Sequence, residues 1–221
     1  MNFNNDYLED LNSSNIEDLS EIIFSKSSLL IKKPALFLDR DGVLIKDLHY
    51  ISNEDEVILE KSANYLVRHA FESGWRIIVV SNQSGISRNI LTWKDYYKIT
   101  NKMLCLFGNP NPFNAIYANS QGPNSRLKNW RKPSPEMIIR AATNLNIDIE
   151  KSIIVGDRLT DIIAGIKSGI KILVHTSTGH GLKENQMVNE FIKKNIKNEE
   201  LKFIKIKNLN QFPFEYIYKI I

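Results

Sequence analysis

The sequence predicts an α/β protein with a mostly parallel central sheet. Three observations carry this. Apolar runs of strand length (Ala35-Leu36-Phe37-Leu38, Ile77-Ile78-Val79-Val80, Ile153-Ile154-Val155 and Ile172-Leu173-Val174) alternate with stretches of helical periodicity. That alternation builds βαβ units with helices on both faces of a sheet. Three of the runs also end in polar clusters, Asp39/Asp41, Ser81/Asn82 and Asp157/Asp161. A parallel sheet gathers those ends along one edge, where open α/β folds place their ligands.

The elements follow in order. Residues 1–33 precede the first strand. Ile16, Leu19, Ile22 and Ile23, extended by Leu29 and Leu30, recur at helical spacing, so a helical N-terminal extension is expected, packed on the domain or mediating association. Residues 34–221 then form one domain. After Asp39-x-Asp41-Gly42 comes a polar and aromatic loop, Ile45 to Ser52. Ala63, Leu66, Val67, Ala70 and Phe71 mark a helix that stops at Gly74. A second helix starts at Thr92-x-x-Asp95, a capping box, and its apolar side includes Tyr96, Met103, Leu104 and Phe107. Between Gly108 and Pro133 the chain is irregular, apart from a short apolar piece at Ala115-Ile116-Tyr117-Ala118. Ser134-Pro135 provides an N-cap and first helical position, and Ile138, Ala141, Ala142 and Leu145 give the next helix its buried face. A helix through Ile162, Ile163 and Ile166 follows, with Gly165 at a packing contact and Gly169 as its stop. Phe203-Ile204-Lys205-Ile206 reads as an edge strand, with a short amphipathic helix after Pro213.

Composition narrows the function classes. The 221 residues, 43% hydrophobic and 24% charged, suit one globular domain. A net charge of +4 suits an anionic substrate. The excess is scattered lysine in the last third, so no nucleic-acid surface is expected. No apolar run approaches the roughly 18 residues of a membrane span. The acidic, Asn-rich start is not a signal peptide, and a cytoplasmic location is expected. The single cysteine, Cys105, forms no internal disulfide and no thiolate zinc site, and it reads as a buried thiol.

The chemistry begins at Asp39 and Asp41. Two residues apart on a strand, they start out on the same side. Gly42 turns the chain away. Paired carboxylates repel unless a cation lies between them, and an all-oxygen site suggests Mg²⁺. Asp157 and Asp161 add acids at the same edge, while Ser81 and Lys132 add groups that hold an anion. That set suits phosphoryl transfer, in which positioning and charge neutralisation do most of the work.

Asp39-Arg40-Asp41-Gly42, Ser81, Lys132 and Gly156-Asp157 with Asp161 together resemble the four signatures of the haloacid dehalogenase (HAD) superfamily of phosphohydrolases, over about residues 34 to 180. The resemblance implies an HAD-like Rossmannoid three-layer sandwich. It makes Asp39 a nucleophile that forms an aspartyl-phosphate, and Asp41 the general acid and base. Ser81 and Lys132 would hold phosphoryl oxygens. Mg²⁺ would bind Asp39, the main-chain carbonyl of Asp41, and Asp157, with Asp161 behind them. Phe37-Leu38-Asp39-Arg40-Asp41-Gly42, Ser81-Asn82-Gln83-Ser84-Gly85-Ile86-Ser87-Arg88, Arg131-Lys132-Pro133-Ser134-Pro135-Glu136-Met137 and Val155-Gly156-Asp157-Arg158 are similar to the D-glycero-D-manno-heptose 1,7-bisphosphate 7-phosphatases and related histidinol-phosphatases. Those lack a large cap domain, and no insertion here is long enough for one.

Substrate contacts would fall on Asp47, His49, Tyr50, Ser81, Asn82, Gln83, Ser84, Arg131, Lys132 and Arg158. Arginines suit a second phosphate because they bind its oxygens in bidentate fashion. One departure stands out. Many members carry a zinc loop, and the corresponding positions here are Asn119, Gln121, Lys128 and Trp130. No zinc is expected, and hydrogen bonds and packing must hold the loop, with Trp130 as an anchor.

The expected function is therefore an Mg²⁺-dependent phosphomonoesterase acting on a small phosphorylated sugar, by a monomer or weak homo-oligomer. The leading substrate is heptose 1,7-bisphosphate, on the route to nucleotide-activated heptose for surface glycans. A histidinol-phosphate phosphatase and a polynucleotide 3′-phosphatase are the alternatives within enzymes, and a non-catalytic assembly subunit is the alternative outside them. His69, His175 and His180 read as structural or solvated. Trp93, Tyr96 and Tyr97 read as packing, and Arg88 is balanced between a phosphate contact and a helix-start charge.

Overall fold

The computed structural model describes residues 18–24, 31–48, 50–123, 130–195 and 200–218. Among them, seven strands form one sheet: β1 (Leu19–Ile23), β2 (Ala35–Leu38), β3 (Arg76–Asn82), β4 (Ala115–Asn119), β5 (Ile153–Gly156), β6 (Ile172–Thr176) and β7 (Lys202–Ile206), in the order β1-β4-β3-β2-β5-β6-β7. Every pairing is parallel except β1 with β4.

The strands form because their residues alternate between two apolar faces. Leu36, Leu38, Ile77, Val79, Ile153 and Val155 face one core. There they meet Leu66, Val67 and Ala70 of α1 (Ala63–Glu72) and Ile99, Met103 and Phe107 of α2 (Trp93–Phe107). Ala35, Phe37, Ile78, Val80 and Ile154 face the other. Their partners are α3 (Glu136–Leu145), α4 (Leu159–Ser168) and Val188 of α5 (Gly181–Asn195). All four β2 side chains are fully buried, each Leu or Phe contributing about 1.5–3 kcal/mol. The buried Ser152 hydroxyl accepts from the Ala35 amide at 2.9 Å and donates to the Asp148 carbonyl at 2.6 Å, fixing where β2 enters the sheet.

Several local expectations meet their residues. Thr92 and Asp95 close the capping box of α2, and Gly165 lies against Ile154, where an added Cβ would come within 2.6 Å. Others are corrected. Residues 19–23 are a strand, not part of a helix, so the extension joins the sheet rather than standing apart at residue 33. The spacing of Leu19, Ile22 and Ile23 fits both periods, and pairing with the open edge of β4 decides it. The rest of the stripe, at Ile16, Leu29 and Leu30, lies outside the described residues. α3 begins at Glu136, with Pro135 in the cap position, and Ser134 Oγ accepts only from the Glu136 amide at 3.4 Å. The chain after Pro213 makes one 3₁₀ turn, Phe214–Tyr216. Cys105 is exposed: it lies on α2 beside Leu104, beyond the edge of the buried stripe.

Candidate active site

β2, β3 and β5 are neighbours, so their carboxyl ends deliver Asp39, Ser81 and Asp157 to one place. A cavity of about 350 Å³ opens there. Asp39, Asp41, Asp47, Tyr50, Asn82, Gln83, Ser84, Arg131, Lys132, Arg158 and Asp161 all line it. Ser81 and Asp157 lie just behind the wall, almost fully buried. His49 lies outside the described residues.

Asp39, Asp157 and Asp161 are buried, and each brings a carboxylate oxygen within 4.8 Å of the other two. Burial raises the Asp39 carboxyl above its ordinary value; Lys132 opposes this, and Asp161 and Asp41 add to it. Burial raises Asp157 too, reinforced by Asp39 and Asp161. Lys132 Nζ lies 2.8 Å from Asp39 Oδ1 and 2.6 Å from Asp161 Oδ1, and also donates to the Val80 carbonyl at 2.6 Å. Burial pulls its ammonium down, but Asp161 and Asp39 outweigh that and hold it above the usual lysine value. One cation thus pairs with two of the three acids, leaving the cluster short of positive charge.

The donor set fits a hard cation. Gly42, at φ +83°, and Gly179, at φ +53°, close on the Asp157 carboxylate, where an added Cβ would come within 2.6 and 2.4 Å of Oδ2. The His180 amide donates to that same oxygen at 2.7 Å. Asp157 Oδ1 is buried and has no hydrogen-bond partner, as an oxygen reserved for a metal would be.

Asp41 faces a different network. Arg40, only 2% exposed, donates to Asp41 Oδ1 at 3.0 Å and to Gln83 Oε1 at 3.0 Å, and stacks over Tyr96. Gln83 Nε2 donates to Asp41 Oδ2 and to Ser81 Oγ, both at 2.7 Å. Both Asp41 carboxylate oxygens are therefore engaged by Arg40 and Gln83. Asn82 holds the Lys132 main chain at both its amide, 2.9 Å, and its carbonyl, 3.0 Å. Asn82 and Gln83 line the cavity while their amide groups shape its walls.

Arg88, Arg131 and Arg158 also line the cavity. Arg131 is half-buried, and burial, then the charges of Arg158 and Arg88, push its guanidinium below the usual arginine value. Arg88 donates to the Tyr50 hydroxyl at 2.7 Å, which places it on the rim rather than at a helix start.

Two site residues escaped sequence reading. Arg40 showed only as a motif letter, although its burial beside two acids marks a structural charge. His180, read as structural or solvated, lines the cavity, and its Nε2 lies 2.9 Å from Asp47 Oδ2. No residue-type signal reveals it, because its main chain makes the decisive contact. His175, fully buried, bonds the Asp157 carbonyl through Nε2 at 3.0 Å.

Known proteins are similar to this chain. A family model described as HAD-hydrolase-like matches residues 129–192. A D-glycero-beta-D-manno-heptose-1,7-bisphosphate 7-phosphatase of Helicobacter pylori is 34% identical over 139 residues, 62% of this chain and 80% of the relative. A D-glycero-alpha-D-manno-heptose-1,7-bisphosphate 7-phosphatase of Campylobacter jejuni is 31% identical over 180 residues, 81% of this chain and all of the relative.

The chain belongs to the HAD phosphatases. It is a phosphoric monoester hydrolase of the α/β type with a mostly parallel sheet. The crystal structure of an HAD-like phosphatase from Mesorhizobium loti superposes with a TM-score of 0.67 at 29% identity, over 72% of this chain and 80% of that one. A D,D-heptose 1,7-bisphosphate phosphatase from B. bronchiseptica has the same fold, with a TM-score of 0.68 at 24% identity over 79% of this chain and 93% of that one.

The positions expected to correspond to the zinc loop of many such phosphatases carry other groups. Asn119 and Gln121 bear amides engaged with Asp18, whose carbonyl takes Asn119 Nδ2 at 3.1 Å and whose Oδ2 takes Gln121 Nε2 at 3.0 Å. Trp130 is half-buried against the second core with Arg140 over its ring at 5.4 Å, and Lys128 lies outside the described residues. Those four residue types are not a zinc donor set. Among the described residues no helix is long and apolar enough to cross a membrane.

Proposed function

We propose that this enzyme removes one phosphate from a small sugar bisphosphate, with the 7-phosphate of D-glycero-D-manno-heptose 1,7-bisphosphate as the leading substrate. The observation that carries this is the lining of the cavity. Asp39 and Asp41 share its walls, about 350 Å³ in volume, with Arg88, Arg131 and Arg158, and Arg158 and Arg88 lie close enough to Arg131 to push its guanidinium down. One phosphate is cut at the acids while the second rests on guanidinium groups, which bind such oxygens in bidentate fashion. The volume suits a phosphorylated sugar.

Asp39 attacks phosphorus and forms an aspartyl-phosphate; the sugar oxygen leaves with a proton from Asp41. Asp41 then takes a proton from water, and that water releases phosphate. Arg40 and Gln83 aim the Asp41 carboxyl. Lys132 keeps Asp39 ionised and offers charge to the phosphoryl oxygens, beside the Ser81 hydroxyl.

Asp39, Asp157 and the Asp41 carbonyl would hold Mg²⁺, with Asp161 supporting Lys132. The B. bronchiseptica relative was crystallised with magnesium and phosphate, which supports this choice of metal. When bound, the ion would neutralise charge on the transferring phosphoryl group. The mechanism requires no zinc. The intact acid pair argues against an assembly subunit, and an exposed single thiol suits the cytoplasm.

The relatives' names divide between alpha and beta anomers. The test is phosphate release with Mg²⁺ from both anomers of heptose 1,7-bisphosphate, fructose 1,6-bisphosphate, histidinol phosphate and a 3′-phosphorylated oligonucleotide, with Asp39→Asn alongside. Preference for one heptose anomer, lost in the variant, is expected. Preference for histidinol phosphate or the oligonucleotide would overturn the substrate, and no turnover of any would overturn the class.

A further inference from the structure

We infer that Asp18, at the head of β1, is a positioning residue for Arg131, so that the N-terminal strand sets the second-phosphate side of the cavity from outside it. This rests on the bisphosphate reading for its kinetic readout alone.

The geometry runs in three steps. Arg131 comes first. Its Nη1 donates to the Gln121 carbonyl at 3.1 Å. Arg158 and Arg88 repel it, so a fixed acceptor behind it keeps the guanidinium facing the cavity. The second step is Gln121 itself, at the end of β4 and almost fully buried. Its amide donates to Asn119 Oδ1 at 3.0 Å and its side chain to Asp18 Oδ2 at 3.0 Å. Asp18 is the third step. Its carbonyl accepts from the Ser120 amide at 2.9 Å and from Asn119 Nδ2 at 3.1 Å, and its Oδ1 accepts from the Ser120 hydroxyl at 3.0 Å. One residue thereby holds Asn119, Ser120 and Gln121, all three buried. Removing its side chain takes the carboxylate acceptor from the Ser120 hydroxyl and the Gln121 side-chain amide, while the Asp18 carbonyl stays in place.

β1 itself is well anchored. Leu19 pairs with Asn119 and Ile23 with Ala115 in the antiparallel register. Glu21 takes the Tyr117 hydroxyl at 3.2 Å and Arg140 Nε at 2.7 Å, and it also bonds Asn144. Arg140 in turn covers the ring of Trp130, next to Arg131. The strand therefore touches both sides of the connection, at 119–121 and, through Arg140, at 130. Two of the positions at which related enzymes place metal ligands here carry amides bonded to Asp18.

The test uses the full chain with Mg²⁺, and compares heptose 1,7-bisphosphate with p-nitrophenyl phosphate, which has no second phosphate. Asp18→Ala is expected to raise KM for the bisphosphate about threefold to tenfold, the range that one lost hydrogen bond corresponds to. KM for p-nitrophenyl phosphate should change less than about twofold, since that substrate offers nothing to Arg131. In the Arg131→Ala background, Asp18→Ala should add nothing. Asp18→Asn keeps one side-chain acceptor and should fall between; it also stands in if Asp18→Ala does not fold. Amide hydrogen exchange across residues 119–121 should quicken in Asp18→Ala. Equal KM changes for both substrates, additive effects of the two substitutions, or unchanged exchange would overturn the inference. If Arg131→Ala leaves the bisphosphate KM untouched, the bisphosphate reading fails, and exchange alone decides the role of Asp18.

Discussion

Lys132→Met tests the charge balance of the site most sharply. The ammonium lies 2.8 Å from Asp39 Oδ1 and 2.6 Å from Asp161 Oδ1 and is almost completely buried. At an effective dielectric of about 20, each contact attracts by about 6 kcal/mol. Two such contacts outweigh the several kcal/mol that burial costs the ammonium. Met matches the side chain in shape and removes the charge, leaving buried carboxylates facing one another. Breaking a buried pair in this way costs about 3–5 kcal/mol. For a chain of this size that lowers Tm by about 6–20 °C.

The deficit depends on pH, and the sign follows from the burial of the acids. Without the ammonium, the folded-state carboxyl pKa values rise further, so the folded protein binds more protons than the unfolded chain. Stability is then retained at low pH and lost as pH rises through the folded values. The assay is thermal unfolding without metal at pH 5.5 and pH 8, followed by titration with Mg²⁺. The deficit should be larger at pH 8 and should narrow with the metal. A Lys132→Met protein that melts within about 2 °C of the parent at pH 8 would refute the reasoning.

Three further predictions follow from the same geometry. Gly179→Ala would push a methyl to within 2.4 Å of Asp157 Oδ2 at φ +53°, so it should cost about 1–3 kcal/mol and weaken Mg²⁺ binding, as read by calorimetry. Asp41→Asn keeps the main-chain carbonyl and loses only the proton-transfer group; kcat should fall about 10²–10⁴-fold while metal affinity holds, checked by steady-state kinetics beside a binding titration. Because Asp39 and Asp157 are both held above their ordinary values by burial, metal-free stability should fall as pH rises, and Mg²⁺ affinity should strengthen by up to about tenfold per pH unit between pH 6 and 8. Equal Tm gains from Mg²⁺ at the two ends of that range would contradict it.

The parts of this molecule that sequence made legible share a physical character. β2, β3 and β5 are buried on both faces, so they read as unbroken apolar runs whatever surrounds them. Acids placed where such runs end were legible too, because a parallel sheet leaves one destination for them. The rest depends on contacts that no local pattern encodes. Leu19–Ile23 became a strand because β4 offered an open edge. His180 matters through a main-chain amide, which any residue type could supply. Gln83 acquires its role by meeting Arg40 across 43 positions of chain and Asp41 across 42. Asp18 sat in a segment with no motif, and its work appears only once residues 119–121 are seen to fold back on it. Cys105 shows the reverse error: an apolar neighbourhood in sequence includes residues just outside the buried stripe of a helix.

The most direct measurement is to trap the covalent intermediate. Enzyme turning over heptose 1,7-bisphosphate with Mg²⁺ is quenched and treated with borohydride, which reduces an acyl phosphate to an alcohol, and the peptide spanning residues 34–46 is examined by mass spectrometry. Homoserine is expected in place of Asp39, formed only when substrate and Mg²⁺ are both present. Turnover that proceeds with Asp39 unmodified, or reduction at a different carboxylate, would contradict it.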